Sequence, residues 1–144
     1  MAVRGRPRGF DRQAALQKAM EVFWRQGFDE ASLAELTSAM GIKPPSLYAA
    51  FGSKEELFAE AVDLYVRSAG GGIWEEVPSA ATAREAVEGM LRRSAEVFAG
   101  DPERRGCMVA LADPQMHEAG PAVCRKLKKL RGANVRLLER RLSR

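Results

Sequence analysis

Three sets of side chains in this sequence carry chemistry, and each asks for a different function. Cys107, His117 and Cys124 offer sulfur and imidazole ligands, but their separations of ten and seven residues match no zinc spacing and no fourth ligand accompanies them. No metal is expected. Residues 66–144 show neither a cluster of catalytic carboxylates nor a nucleophile with a base, so no enzymatic activity and no cofactor are expected. The third set is richer: Arg4, Arg6, Arg8, Ser32, Lys43, Ser46, Tyr48 and Lys54 are cations and hydroxyls suited to phosphates and base edges, gathered in the first 54 residues.

The chain as a whole allows such a role. It has 144 residues, 46% of them hydrophobic and 29% charged, enough for a buried core. No apolar run approaches the roughly 20 residues needed to cross a bilayer, and the start, MAVRGRPRGF, lacks the apolar stretch of a secretory signal, so a cytoplasmic protein without a membrane partner is expected. Its two cysteines are too few for a disulfide framework. The net charge of +4 is unevenly spread: +3 over residues 1–54, −5 over 55–100 and +6 over 101–144. Residues 1–9 read as a flexible arm whose Arg4, Arg6 and Arg8, spaced by Gly and Pro, suit a phosphate backbone or a minor groove. A solvated, inert terminus is the competing reading.

Helices must position these groups, because no segment alternates like a strand. Asp11 is a plausible cap for a first helix carrying Ala15, Leu16, Ala19, Met20, Val22, Phe23 and Trp24 inward, with Gly27 as its stop. Ser32-Leu33-Ala34-Glu35 fits a capping box, stapled by Ala31 and Leu36, and Leu33, Leu36, Ala39 and Met40 form a short apolar stripe ended by Gly41. Two further boxes, Ser53 to Glu56 and Thr82 to Glu85, open later helices. The expected fold is all-α.

Between Gly41 and Gly52, GIKPPSLYAAF admits only a helix beginning at Pro44, since proline is tolerated in a first turn and pushes the residue before it into an extended conformation. Lys43 then caps it. Leu47, Ala50 and Phe51 face inward at i, i+3, i+4, leaving Lys43, Pro45, Ser46, Tyr48 and Ala49 outward. About two turns long, such a helix must be clamped by its neighbours. Two short helices across a Gly turn, the second slim and polar outside, describe a helix-turn-helix over residues 32–51.

From residue 10 to 65, through ASLAELTSAMGIKPPSLYAAFGSKEELFAEAV, the sequence resembles the TetR family of bacterial transcriptional regulators. The resemblance implies an N-terminal three-helix DNA-binding head (10–56) on a larger helical body (57–144) that dimerises and holds a small-molecule inducer. It places Pro44 to Ala50 as recognition helix, with Lys43, Pro44, Pro45 and Ser46 at its start nearest base edges and Ala49 on the same DNA-binding face. Tyr48 and Lys54 would hold backbone phosphates. Ser32 would offer its hydroxyl and backbone N–H to another phosphate, or serve as a cap alone. The implied partners are a double-stranded operator, an inducer and a second copy; the implied function is a repressor released from a palindromic operator. The alternatives are a targeting module of a DNA-rearranging enzyme and a helical interaction protein that no longer binds DNA.

One departure from the family concerns Lys43, where Ser or Thr is usual. A cation there opposes the positive end of the helix dipole by roughly 0.3 to 1 kcal/mol. Contact with phosphate or guanine would offset this, so Lys43 is expected to touch DNA. Farther on, Trp74, Met90, Phe98, Met108 and Met116 are the expected lining of a ligand pocket, against the plainer reading as core. Residues Cys124 to Arg144 hold nine basic side chains and one acid, read as an amphipathic helix with a solvated charged face. Family members continue into two further helices that form the dimer interface, so the body is expected to be incomplete at its C-terminal end.

Overall fold

The computed structural model describes residues 9–103, 105–112 and 119–143. Seven α-helices follow in order: α1 (Arg12–Gln26), α2 (Leu33–Met40), α3 (Pro44–Phe51), α4 (Lys54–Arg67), α5 (Ala83–Gly100), α6 (Met108–Leu111) and α7 (Pro121–Leu142), with a short 3-10 turn at Gly71–Ile73. Among the described residues the fold is all-helical, as expected.

Local chemistry sets the helix ends. The Asp11 carboxylate accepts from the backbone N–H groups of Gln13 and Ala14, and Gly27 stops α1 with φ of 82°. Ser32 and Glu35 form the full reciprocal capping box at α2, as do Thr82 and Glu85 at α5. At α4 only half of the expected box forms: Ser53 accepts from the Glu56 N–H. The Glu56 carboxylate lies instead against Gly52, where a Cβ would sit 2.0 Å from its Oε2. Gly52 has φ of 87°, a conformation that favours glycine, whereas the exposed Glu56 carboxylate can move aside for a Cβ.

The core is built by α1 lying across α2 and α4. Phe23, Phe28 and Phe58 meet there, with Phe23 and Phe28 edge-on to Phe58 at centroid distances of 5.0 and 5.3 Å. The same apolar cluster continues through Leu36, Leu47 and Phe51 to Met108, Val109, Val123 and Leu127. Head and body thus share buried surface, and the boundary expected at residue 56 falls inside the first turn of α4. In α2 the expected stripe is corrected at one place. Ala39 is exposed and Thr37 is buried, because the Thr37 hydroxyl donates to the Leu33 carbonyl at 2.7 Å and no longer needs water. The α5 helix sits apart, with Ala86 its only buried residue.

Polar contacts tie α1 and α4 to the later part of the chain. Lys126 on α7 pairs with Asp63 on α4 at 2.6 Å, and Arg25 on α1 pairs with Glu103 at 2.8 Å. A stack adds to them: the Trp24 indole N–H donates to the Gly106 carbonyl at 2.8 Å, and the Arg105 guanidinium lies 3.8 Å from the Trp24 ring centroid. Arg105 is held by Asp101, whose carboxylate accepts from its Nη2 at 2.9 Å and its backbone N–H at 2.7 Å. These bonds, led by the guanidinium and opposed by burial, draw the Asp101 carboxyl from 3.8 down to about 2.

A depressed native value stabilises the fold when the group is ionised, so the contribution is complete above pH about 4 and fades as pH falls towards 2. Its size is about 2 kcal/mol. Urea unfolding of wild type and Asp101→Asn should therefore show a stability gap that narrows by about that amount between pH 5 and pH 2. A gap independent of pH would mean that the carboxylate charge contributes nothing.

Candidate nucleic-acid interface

The outer face of α3 is positioned by the turn before it. Gly41 takes the left-handed conformation, φ 67° and ψ 30°, and the N–H of Ile42 returns to the Thr37 carbonyl at 3.1 Å, closing α2. Lys43 is extended at ψ 155° and makes no side-chain cap. Its carbonyl accepts from the N–H groups of Ser46 and Leu47 at 2.9 and 3.2 Å. With Pro44 and Pro45 lacking N–H groups and the Ser46 N–H bonded to the Lys43 carbonyl, the first three residues of α3 offer no free backbone donor to a phosphate. Whatever α3 recognises, it must recognise with side chains and shape.

Those side chains face water. Lys43, Pro44, Pro45, Tyr48 and Ala49 are exposed and Ser46 is half-buried, while Leu47 and Phe51 are sealed in the core. Tyr48, at 47% exposure, is one of the few large apolar side chains left in solvent. A cleft of about 400 Å³ runs beside this face, lined by Gly9, Phe10, Gly41, Ile42, Lys43, Ser46, Ala49 and Ala50. It places Gly9 and Phe10 next to α3. Arg4, Arg6 and Arg8 themselves lie outside the described residues.

Two expected phosphate ligands are engaged elsewhere. The Ser32 hydroxyl donates to Glu35 Oε2 at 2.9 Å, and the Ser32 backbone N–H donates to the same oxygen at 3.1 Å. Both donors assigned to a phosphate are thereby occupied by a carboxylate. The bonds hold the Glu35 carboxyl below its ordinary range, the backbone donor first and the hydroxyl second. Lys54, in the first turn of α4, is half-buried and sets its Nζ 4.5 Å from the centroid of the Phe28 ring. Its methylene stem covers core, and its charge stays on the head.

The expected pocket residues do not come together at the cleft of about 350 Å³ between α1, α4 and α6. Of the five, Met108 lines it, with Phe23, Trp24, Phe28, Phe58 and Leu111 among its walls. Trp74 belongs to the 3-10 turn, and Met90 and Phe98 are half-buried on α5; Met116 lies outside the described residues. The reason is the loose seating of α5, which leaves Leu91 57% exposed.

One contributor went unread in the sequence. Arg12, in the first turn of α1, reaches the Ala50 carbonyl at the end of α3 and the Glu60 carboxylate on α4, 38 and 48 residues away. The available signal was its position: a cation at a helix N-terminus opposes the dipole and needs another purpose.

Comparison with known proteins points the same way as this geometry. Residues 15–61 match the family described as bacterial regulatory proteins, tetR family. The chain is 54% identical over 63 residues to the HTH-type transcriptional repressor ComR of Escherichia coli K12, covering 44% of this chain and 30% of ComR. It is 39% identical over 113 residues to the repressor BdcR of the same organism, covering 74% of this chain and 54% of BdcR. It therefore spans about half or less of these relatives. A solved structure of a cysteine-substituted form of the TetR family transcriptional regulator CifR, in complex with a 26-bp operator duplex, superposes with a TM-score of 0.85 at 46% identity. That match covers 96% of this chain and 72% of CifR.

The occupied donors of Ser32 lead to a measurable separation of roles. Ser32→Ala should lower stability by about 1 kcal/mol through loss of the cap while leaving duplex affinity within about a factor of two. Lost affinity with unchanged thermal stability would restore Ser32 as a phosphate ligand.

Proposed function

The chain belongs to the TetR family of bacterial transcriptional regulators, and from that premise we propose that it is a sequence-specific DNA-binding repressor acting in the cytoplasm. The observation that carries this reading is the face of α3. A two-turn helix whose Leu47 and Phe51 are buried leaves Lys43, Pro44, Pro45, Tyr48 and Ala49 free to enter a major groove. Small outer residues allow close approach. Tyr48 reaches a phosphate through its hydroxyl, and Lys43 meets a phosphate or a guanine at the helix start. Ser46 lies beside them. Arg4, Arg6 and Arg8, which precede Gly9 in the sequence, have the charge and the Gly and Pro spacing that suit a minor groove. Lys54 adds attraction to the backbone from its seat on Phe28.

The operator is a palindrome bound by two copies, because one head offers few contacts and paired recognition helices reach half-sites about 34–36 Å apart. A small-molecule inducer held in the body releases the complex by favouring a head spacing that no longer fits. The DNA-bound CifR relative supports the first part of this reading.

Titration of a palindromic duplex, selected by the wild-type protein from a random pool, tests it. Affinity should fall linearly in log–log form with salt, with a slope of about −0.9 per phosphate contact. Lys43→Ala should bind more weakly with the fold intact. A salt-independent interaction, or unchanged affinity in Lys43→Ala together with absent duplex selectivity, would contradict the proposal.

A further inference from the structure

We propose that Arg12 is a positioning residue for DNA recognition, fixing the tilt of α3 on the head without itself touching DNA; this rests on the DNA-binding reading above. The guanidinium sits where three helices meet. Its Nε and Nη2 donate to the Ala50 carbonyl at 3.3 and 3.0 Å, in the last turn of α3. Its Nη1 and Nη2 donate to the two Glu60 oxygens on α4 at 2.8 and 2.7 Å, a bidentate pair. Its Cζ lies 4.2 Å from the centroid of the Phe51 ring.

Each contact answers a need of the recognition helix. A helix of eight residues has few internal bonds, and the carbonyls of its last turn lack partners within it. A cation at that end satisfies one carbonyl and complements the negative pole of the dipole. No basic residue of α3 itself does so. Arg12 gains nothing for α1, whose positive end it occupies. The Glu60 carboxylate fixes the fork, so the tilt of α3 is referred to α1 and α4 together.

Four hydrogen bonds engage the guanidinium, leaving one N–H of five for anything else. That distinguishes Arg12 from a phosphate-seeking arginine, which keeps its fork open.

Anisotropy titrations of the selected duplex across a salt series, with wild type, Arg12→Met and Glu60→Gln, test the assignment, each variant first shown folded by its thermal melt. Affinity should fall about tenfold in Arg12→Met and about threefold in Glu60→Gln, with the wild-type salt slope retained in both. Glu60→Gln is the sharper arm, and it carries the test alone if Arg12→Met does not fold. Removing an acid near DNA tightens binding when only charge matters, whereas a positioning role demands weaker binding. Equal or tighter binding by Glu60→Gln overturns the inference, as does a slope in Arg12→Met shallower by about one, the mark of a lost phosphate contact. If wild type binds and both variants match it, only this inference fails; if wild type shows no salt-dependent binding, the DNA-binding reading falls and takes this inference with it.

Discussion

A helix of two turns is unstable in water, since nucleation costs more than so few hydrogen bonds return. Everything distinctive about this head follows from that constraint on α3. Leu47, fully buried, and Phe51, 4% exposed, anchor its inner side in the cluster shared by α1, α2 and α4. Pro44 and Pro45 pre-set its first turn, and Arg12 meets the Ala50 carbonyl in its last. The anchors all lie on one side. Apart from the two prolines, the opposite side is free of structural duty, and its residues can be chosen for what they touch.

That freedom has a chemical price tag on the face itself. The proline pair removes two backbone donors and the Ser46 N–H is turned to Lys43, so α3 has no helix-start anion site of the usual kind. Lys43 stands where a neutral cap would stabilise the helix. A face that gives up both backbone donors and a good cap has only side chains and shape left for recognition, and its stability must come from behind. The body contributes to that support: Trp24, at the far end of α1, is pinned by Gly106 and Arg105, and α4 is tied to α7 through Asp63 and Lys126. Displacements of the body thus bear on α4, against which α3 packs, and on α1, which reaches α3 through Arg12.

Much of this was legible in the sequence because it is local. The box at Ser32, the left-handed Gly41, the extended Lys43 and the start at Pro44 each depend on residues within four positions, and the outward set on α3 followed from 3.6-residue periodicity. The failures are of two kinds. Thr37 and Ala39 exchanged places because a hydroxyl that finds its own helix carbonyl is cheap to bury, which a count of apolar residues ignores. Arg12 with Ala50 and Glu60, and Trp24 with Gly106, join residues 38 to 82 positions apart, and no pattern along the chain encodes such meetings. The partners that Ser32 and Lys54 find in the folded chain, Glu35 and Phe28, are a further feature that residue type alone does not give. Met90 and Phe98 on α5 do not reach the cleft that Met108 on α6 lines, since spacing along α5 says nothing of how firmly α5 is seated.

The central claim is that α3 is a rigid part of the head, held from behind, and the most direct measurement is native-state amide hydrogen exchange across it. If the clamp operates, the amides of Leu47 to Phe51 will exchange with the same opening free energy as those of Ala19 to Phe23 in α1, because α3 can only come loose when the shared core does. Exchange of α3 by local opening, several kcal/mol below that of α1, would contradict the account and leave the helix a flexible segment ordered only on binding.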